Sequence, residues 1–395
     1  MVASESVGSP REVHSLYGFG QIGWRDALYL DLTGRNDWSS TLPPDSRSFF
    51  YPSVGLSAVL SDLVPAFPDA IRFAKVRASW ARVGNSAPPF QTVRTASFSA
   101  GGNNGFLSLS NTLPAEDLKP EETVSYELGA DLRFFQGQRL GVNVTAYQTN
   151  TRNQLFTSAL PRGSGASFEF VNGGDVENRG IEVTLTGQPI ITSDFSSNID
   201  VNFSVNRSEV VRLTEDQPSL TIAQDFMREF RIVAGEPFGQ VFSRGFQRDD
   251  EGRVLVGPDG MPLITDGLSV KVADFNADWR GSIRSAFSYK NVNLSFLIEH
   301  RQGGSTVSLT NAILDADGLR QRTLDGRDGG LVFGENFFSE ETAVLEADGS
   351  TNDIAIDAET FWRNVGGRNA PVGEVFSEDA TNTRLRQMTL GYTLP

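Results

Sequence analysis

The sequence predicts an all-β fold: an antiparallel up-and-down β-barrel of the transmembrane kind. Three observations lead there. Apolar and polar residues alternate with period 2 over runs of roughly 8–12 residues, which puts one dry face and one wet face on each strand. The connections between these runs are alternately short and long. No segment carries a convincing amphipathic helical period.

Taken in chain order, Leu28, Leu30 and Leu32 alternate with Tyr29, Asp31 and Thr33, and Val76, Ala78 and Trp80 with Lys75, Arg77 and Ser79. The clearest run follows. Val124, Tyr126, Leu128, Ala130, Leu132 and Phe134 are interleaved with Ser125, Glu127, Gly129, Asp131 and Arg133. Beyond the turn Gln136-Gly137-Gln138, Leu140, Val142, Val144 and Ala146 continue the pattern. Ile181, Val183 and Leu185 alternate with Glu182, Thr184 and Thr186, and Ile199, Val201, Phe203 and Val205 with Asp200, Asn202 and Ser204. Trp279, Ile283 and Phe287 lie opposite Arg280, Ser282 and Arg284, and Val292, Leu294, Phe296 and Ile298 complete the set.

The short connections are 25–27, 60–71, 135–139, 187–195 and 290–291; the long ones are 36–52, 84–123, 148–179, 207–278 and 301–383. In a meander these alternate between the two ends, so one end is trimmed and the other elaborated. Alternation alone also fits a soluble sandwich, whose strands are usually about 5–6 residues long. The longer runs and the loop asymmetry favour a barrel with its dry face on lipid and its wet face on a lumen. Leu28, Leu30, Leu128, Leu132, Val142, Val201 and Phe296 are then outward residues, and Glu127, Asp131, Arg133 and Asn202 inward ones.

Composition narrows the function. The 395 residues carry a net charge of −15, which argues against nucleic acid, since a phosphate backbone needs a basic patch. Fifteen acidic against six basic residues fall between Arg301 and Thr383, a Gly-rich segment expected to be irregular and solvated. There is no cysteine, hence no disulfide framework and no thiolate metal site. The opening MVASESVGSP has neither the basic nor the apolar region of a signal peptide. No apolar run is long enough for a spanning helix, but a barrel strand needs only about 9–11 residues.

Longer phrases then carry a family resemblance. LYLDLTGRNDWSSTLPPDSRSFFYPSVGLSAVLSD places Arg35, Asp37, Ser39 and Ser40 at a strand end and Tyr51, Pro52 and Ser53 at the next strand's opening. KVRASWARVGNS, LKPEETVSYELGADLRFF, VTAYQTNTRNQLF, NGGDVENRGIEVTLTG, AGEPFGQVFSRGFQRDDEGR, YKNVNLSFLIEHRQGG and TRLRQMTLGYTLP follow in order. In this combination the chain resembles the barrel of SusC/RagA-type TonB-dependent outer-membrane transporters. Asn178 and Gly180 suit the tight backbone before a strand, and Tyr392 an interfacial aromatic girdle.

The resemblance implies about 10–13 strands of a larger barrel of roughly 22, with the plug and both ends of the full receptor outside this sequence. The expected division is a disordered or irregular 1–15 and a barrel segment 16–395, with extracellular loops near 84–123, 207–278 and 301–383. It also implies import of a bulky oligosaccharide or peptide across the outer membrane of a Gram-negative, Bacteroidota-like bacterium. The partners it implies are a SusD-like surface lipoprotein, TonB-ExbB-ExbD acting through the missing N-terminal region, and outer-membrane lipid. The other class in view is a non-transport surface β protein, an adhesin or an extracellular β-sandwich. Adhesins commonly repeat a unit at fixed period, and no such repeat is evident.

Catalysis has no candidate. His14 and His300 are far apart, without a local partner, and no His pair suits zinc. Asp249, Asp250 and Glu251, and Asp315, Asp317, Asp325 and Asp328, have the texture of calcium loops without EF-hand spacing, so solvated loop charge is expected. No carboxylate pair stands out for glycoside hydrolysis. Phe337, Phe338, Phe361 and Trp362 could stack on sugar rings or pack inside an ordered loop, the latter being favoured. No cofactor and no enzymatic activity are expected.

Overall fold

A computed structural model describes residues 11–65, 67–99, 105–115, 117–160, 163–213, 218–334 and 342–394. Its main body is one antiparallel sheet of eleven strands. These are β1 (Val13–Trp24), β2 (Leu28–Ser39), β3 (Ser48–Val59), β4 (Ile71–Asn85), β5 (Glu121–Phe134) and β6 (Leu140–Arg152). They continue as β7 (Asp175–Gly187), β8 (Phe195–Arg212), β9 (Trp279–Tyr289), β10 (Val292–Gln302) and β11 (Asn382–Tyr392). Every strand pairs with its neighbours in this order, so the sheet is a meander. Among the described residues β1 pairs only with β2 and β11 only with β10, and the barrel is not closed. The strand count lies within the range the sequence predicts. β1 opens at Val13.

Cross-strand register sorts the side chains into rows. Ala74, Leu132, Val142, Leu185, Val201, Ile283, Ile298 and Leu385 form one row across β4–β11. The adjacent row, one residue along each strand from β4 to β11, is Lys75, Asp131, Asn143, Thr184, Asn202, Ser282, Glu299 and Arg384. Adjacent residues of a strand point to opposite faces, so one face is apolar and the other polar.

The apolar face is not a core. Leu128 is 63% exposed, Leu385 and Ile283 are exposed as well, and none of the expected outward residues joins a buried cluster. On β6 this band runs from Leu140 to Ala146, roughly 20 Å along the strand at ~3.3 Å per residue. It ends sharply in the next row, where Gln148, Arg179 and Arg207 are aligned. Gln148 donates to Glu177 at 2.8 Å and Arg179 pairs with Glu209 at 3.4 Å.

Two residues in and after the β6–β7 connection have local structural causes. Gly180 sits where a Cβ would lie 2.3 Å from the Val205 carbonyl oxygen and 2.6 Å from the Tyr147 hydroxyl, so no larger residue fits. Asn172 accepts from Lys119 N at 2.8 Å and donates to the carbonyls of Asn153 and Lys119, tying three chain segments together.

The buried core lies in the long connections. Residues 218–274 supply a four-stranded antiparallel sheet of Ser219–Gln224, Arg228–Val233, Gln240–Ser243 and Val270–Asp274. Against it pack residues of the β10–β11 connection, so that Met227, Val241, Phe246, Val254 and Val256 share one cluster with Val307, Phe361, Trp362, Val365 and Phe376. Val254–Val256 also pairs in parallel with Ala343–Leu345.

This corrects the expectation of an irregular, solvated, helix-free segment. Besides the short α1 (Leu60–Leu63), the chain forms α2 (Leu309–Ala316) and α3 (Ala358–Val365). Ser308 caps α2 by accepting from Asn311 N at 3.2 Å, and Asp357 caps α3 by accepting from Thr360 N at 2.8 Å. The buried residues of α3 are Ala358, Phe361, Trp362 and Val365, an i, i+3, i+4, i+7 stripe. Each helix is only two turns long, too short to stand out as a period amid loop residues.

Candidate functional site

The polar face of the eleven-stranded sheet is the candidate site. Its side chains are held by one another. Arg77 on β4 donates to Asp131 on β5 at 2.7 Å and to Asn143 on β6 at 3.4 Å, and Asn143 in turn donates to Asp131. Thr184 on β7 donates to Asn202 on β8 at 2.9 Å, which donates to Ser282 on β9 at 3.3 Å. At the β2–β3 hairpin, Arg35 and Tyr51 both donate to the buried Asp37, each at 2.7 Å. That bridge is the physical content of the Arg-x-Asp…Tyr-Pro-Ser phrase: it locks the loop end of the hairpin from the polar side.

Level with the middle of β7 and β8 and at the loop end of β9–β11, this face opens into a concavity of about 610 Å³. Glu182, Thr184, Asn202, Ser204, Arg280, Ser282, Glu299, Arg301, Asn382 and Arg384 line it. Val183, Phe203, Gly281 and His300 complete the lining, so hydrogen-bonding and charged groups stand beside apolar surface. Sequence reasoning marked the strands but not this grouping; the signal was the cationic residue at matching heights of β9 and β10, Arg280 and Arg301.

The residues singled out for chemistry are scattered. His14 lies on β1 beside the exposed Glu12, at 2.8 Å. His300 lies on β10, its ring 4.8 Å from that of Trp279 and its nitrogens on Thr383 Oγ1 at 2.8 Å and Gln302 Oε1 at 3.2 Å. Among the described residues no group of three His, Cys, Asp or Glu side chains is placed to hold a metal ion.

The acidic candidates divide. Asp250, Glu251, Asp317, Asp325 and Asp328 are exposed, as expected of solvated loop charge. Asp249 instead accepts from Arg253 side chain and backbone and from Glu251 N, and the Arg253 hydrogen bond holds its carboxyl below the usual carboxylate range. Asp315 departs furthest from expectation. It is fully buried, with Arg322 at 2.6 Å and Arg320 at 3.3 Å on the same carboxylate oxygen. Burial there follows from α2 packing against α3, which brings Arg322 over the Trp362 ring at 4.8 Å. Phe361 and Trp362 are buried core residues, edge to face at 5.1 Å, rather than open stacking platforms. Phe337 and Phe338 lie outside the described residues.

Residues 4–241, more than half of the chain, match the family described as TonB dependent receptor-like, beta-barrel. The chain belongs to that family. Among its relatives, TonB-dependent receptor P39 of Formosa agariphila is 32% identical over 65% of this chain and 25% of its own length. TonB-dependent receptor P26 of the same organism is 22% identical over 97% of this chain and 39% of its own. TonB-dependent receptor SusC of Bacteroides thetaiotaomicron is 23% identical over 70% of this chain and 26% of its own. The TonB-dependent receptor segment thus spans well under half the length of these relatives. A chain of the RagAB peptide transporter structure shares its fold, with a TM-score of 0.70 at 19% identity over 98% of this segment and 41% of that chain. The meander and the two-faced strands are therefore barrel wall of the TonB dependent receptor-like kind, with the fold seen in the RagAB chain.

Proposed function

We propose that this segment forms part of the wall of a TonB-dependent outer-membrane importer for a bulky nutrient, an oligosaccharide or a peptide. The observation that carries the reading is the row structure of the sheet. An exposed apolar band, on inner strands that each pair with a neighbour on both sides, suits the bilayer's demand for internal hydrogen bonding. The opposite face offers a continuous polar wall to a solute. A sandwich would instead bury the apolar row, so the adhesin or sandwich alternative has no support in the sheet.

The family supplies the rest of the reading: location in the outer membrane of a Gram-negative, Bacteroidota-like cell, energy from TonB-ExbB-ExbD, and a SusD-like surface lipoprotein over the mouth. β2, β4, β6, β8 and β10 end at one side of the meander, where the long connections start, and β1, β3, β5, β7 and β9 end at the other, where the short turns start. In our reading the long ones face outside the cell. Single cysteines at positions 137 and 320 of the full-length receptor, labelled on intact cells with an impermeant maleimide, test this. Label at 320 and none at 137 is expected; the reverse would invert the topology. Uptake and growth on candidate oligosaccharides and peptides in a receptor-deletion strain, with and without the restored gene, test transport itself.

A further inference from the structure

Three arginines of the concavity stand out because the fold gives them little in return. Arg280 on β9 and Arg301 on β10 are direct cross-strand partners, and like charges so placed repel. Arg384 on β11 faces Glu299, which puts it diagonally across from Arg301. Among the described residues Arg280 and Arg384 have neither an ion pair nor a hydrogen bond. Arg301 donates to the carbonyls of Phe275 and Gly303, which occupies its N–H groups without neutralising its charge. The lining carboxylates do not compensate. Glu299 is taken by Arg386 at 2.9 Å, and only Glu182, two strands away from Arg280, remains.

Beside the arginines stand neutral donors, Asn202, Ser282 and Asn382, on the same wall. The cluster lies at the loop end of the strands, where a solute from outside arrives first. Arginine guanidinium groups bind planar or tetrahedral oxyanions through paired N–H donors, most strongly where several converge.

We propose that Arg280, Arg301 and Arg384 form an anion-binding subsite at the mouth of the lumen, which takes a carboxylate or sulfate ester carried by the imported solute. The proposal rests on the importer reading above and deepens it to substrate class: an acidic oligomer rather than a neutral one. An anion seated there relieves the Arg280–Arg301 repulsion, so binding and fold are served by the same contact.

The test uses the full-length receptor in detergent, with fluorescently labelled trigalacturonate as the carboxylated probe, a sulfated galactan oligomer as the sulfated one, and maltoheptaose as the neutral control. Binding of at least one acidic probe is expected, weakening as salt rises. In R280Q/R384Q its Kd should rise about tenfold or more, while R280K/R384K recovers part of the loss. Whichever acidic probe binds identifies the source of the anion. Heat-modifiable migration of the barrel on gels reports whether each variant is folded. Equal probe binding by wild type and a folded R280Q/R384Q overturns the subsite, as does failure of both acidic probes. So does a double variant that loses heat stability while probe affinity is unchanged, the signature of arginines holding an acidic segment of the receptor itself. Uptake of neutral oligomers that persists through such a failure would leave the importer reading standing.

Discussion

Asp315 shows what a single residue does in the folded connection. Two arginines converge on one of its oxygens in a site from which water is excluded, and the other oxygen is buried without a hydrogen-bond partner among the described residues. Replacing the carboxylate by an amide leaves Arg320 and Arg322 facing a neutral group. Asp315→Asn should therefore destabilise the folded connection by about 3 kcal/mol. Limited proteolysis of the full-length receptor checks this, with faster cleavage between β10 and β11 expected and the barrel itself unchanged. Phe361→Ala is expected to act at the same place through a cavity, at about 3–5 kcal/mol.

At the scale of elements, the strands and the connections respond to different variables. On a strand the face decides. Val144→Arg puts a charge in the apolar row of Ala130 and Val183, and should cost about 2–4 kcal/mol of barrel stability near the bilayer midplane. Ser295→Arg, on the polar face of β10, should be tolerated. The folded fraction of the two variants in outer-membrane preparations decides between them, and equal loss would contradict the two-faced assignment. In the connections, acid is the variable. The Arg253 hydrogen bond depresses Asp249, and the Thr360 backbone hydrogen bond depresses Asp357 at the cap of α3. A depressed carboxyl binds its proton less readily when folded than when unfolded. Its stabilisation is thus complete above the ordinary carboxylate range and disappears as pH falls through the folded value. Hydrogen-exchange protection of α3, taken relative to the intrinsic exchange rate at each pH, should fall below about pH 4 in the wild type. In Asp357→Ala it should be lower above that pH and flatter with pH.

At the scale of the molecule, the eleven strands form an open sheet whose β1 and β11 each carry one unpaired edge. Backbone groups left unpaired in a bilayer cost several kcal/mol each. Produced without the strands that pair with these edges, the 395 residues should aggregate, and uptake should require the full-length receptor. Size-exclusion chromatography is the check. A monodisperse, detergent-free monomer with a cooperative melt would return the apolar rows to a soluble core and remove the barrel reading.

The strands were legible because period 2 is a local property: Val124 to Phe134 declares both its conformation and its two faces without reference to any other segment. The turn chemistry of Arg35, Asp37 and Tyr51 was legible as a phrase for the same reason, since its partners lie within one hairpin. What the sequence did not disclose depends on where the chain returns. Arg280 and Arg301 become neighbours through β9–β10 register, but Arg384 joins them only through the pairing of β11 with β10 across a connection of about eighty residues. Asp315 looked like solvated charge because its burial comes from α3 and Phe376, residues remote along the chain. The helical stripe of Ala358, Phe361, Trp362 and Val365 is too short to outweigh its acidic, Gly-rich setting until a second connection covers it. Secondary structure and facing were thus determined by the sequence alone, because they follow from nearest neighbours. The core of the connections and the grouping of the arginines were decided only by tertiary structure, because burial and charge proximity are properties of residues that meet in space.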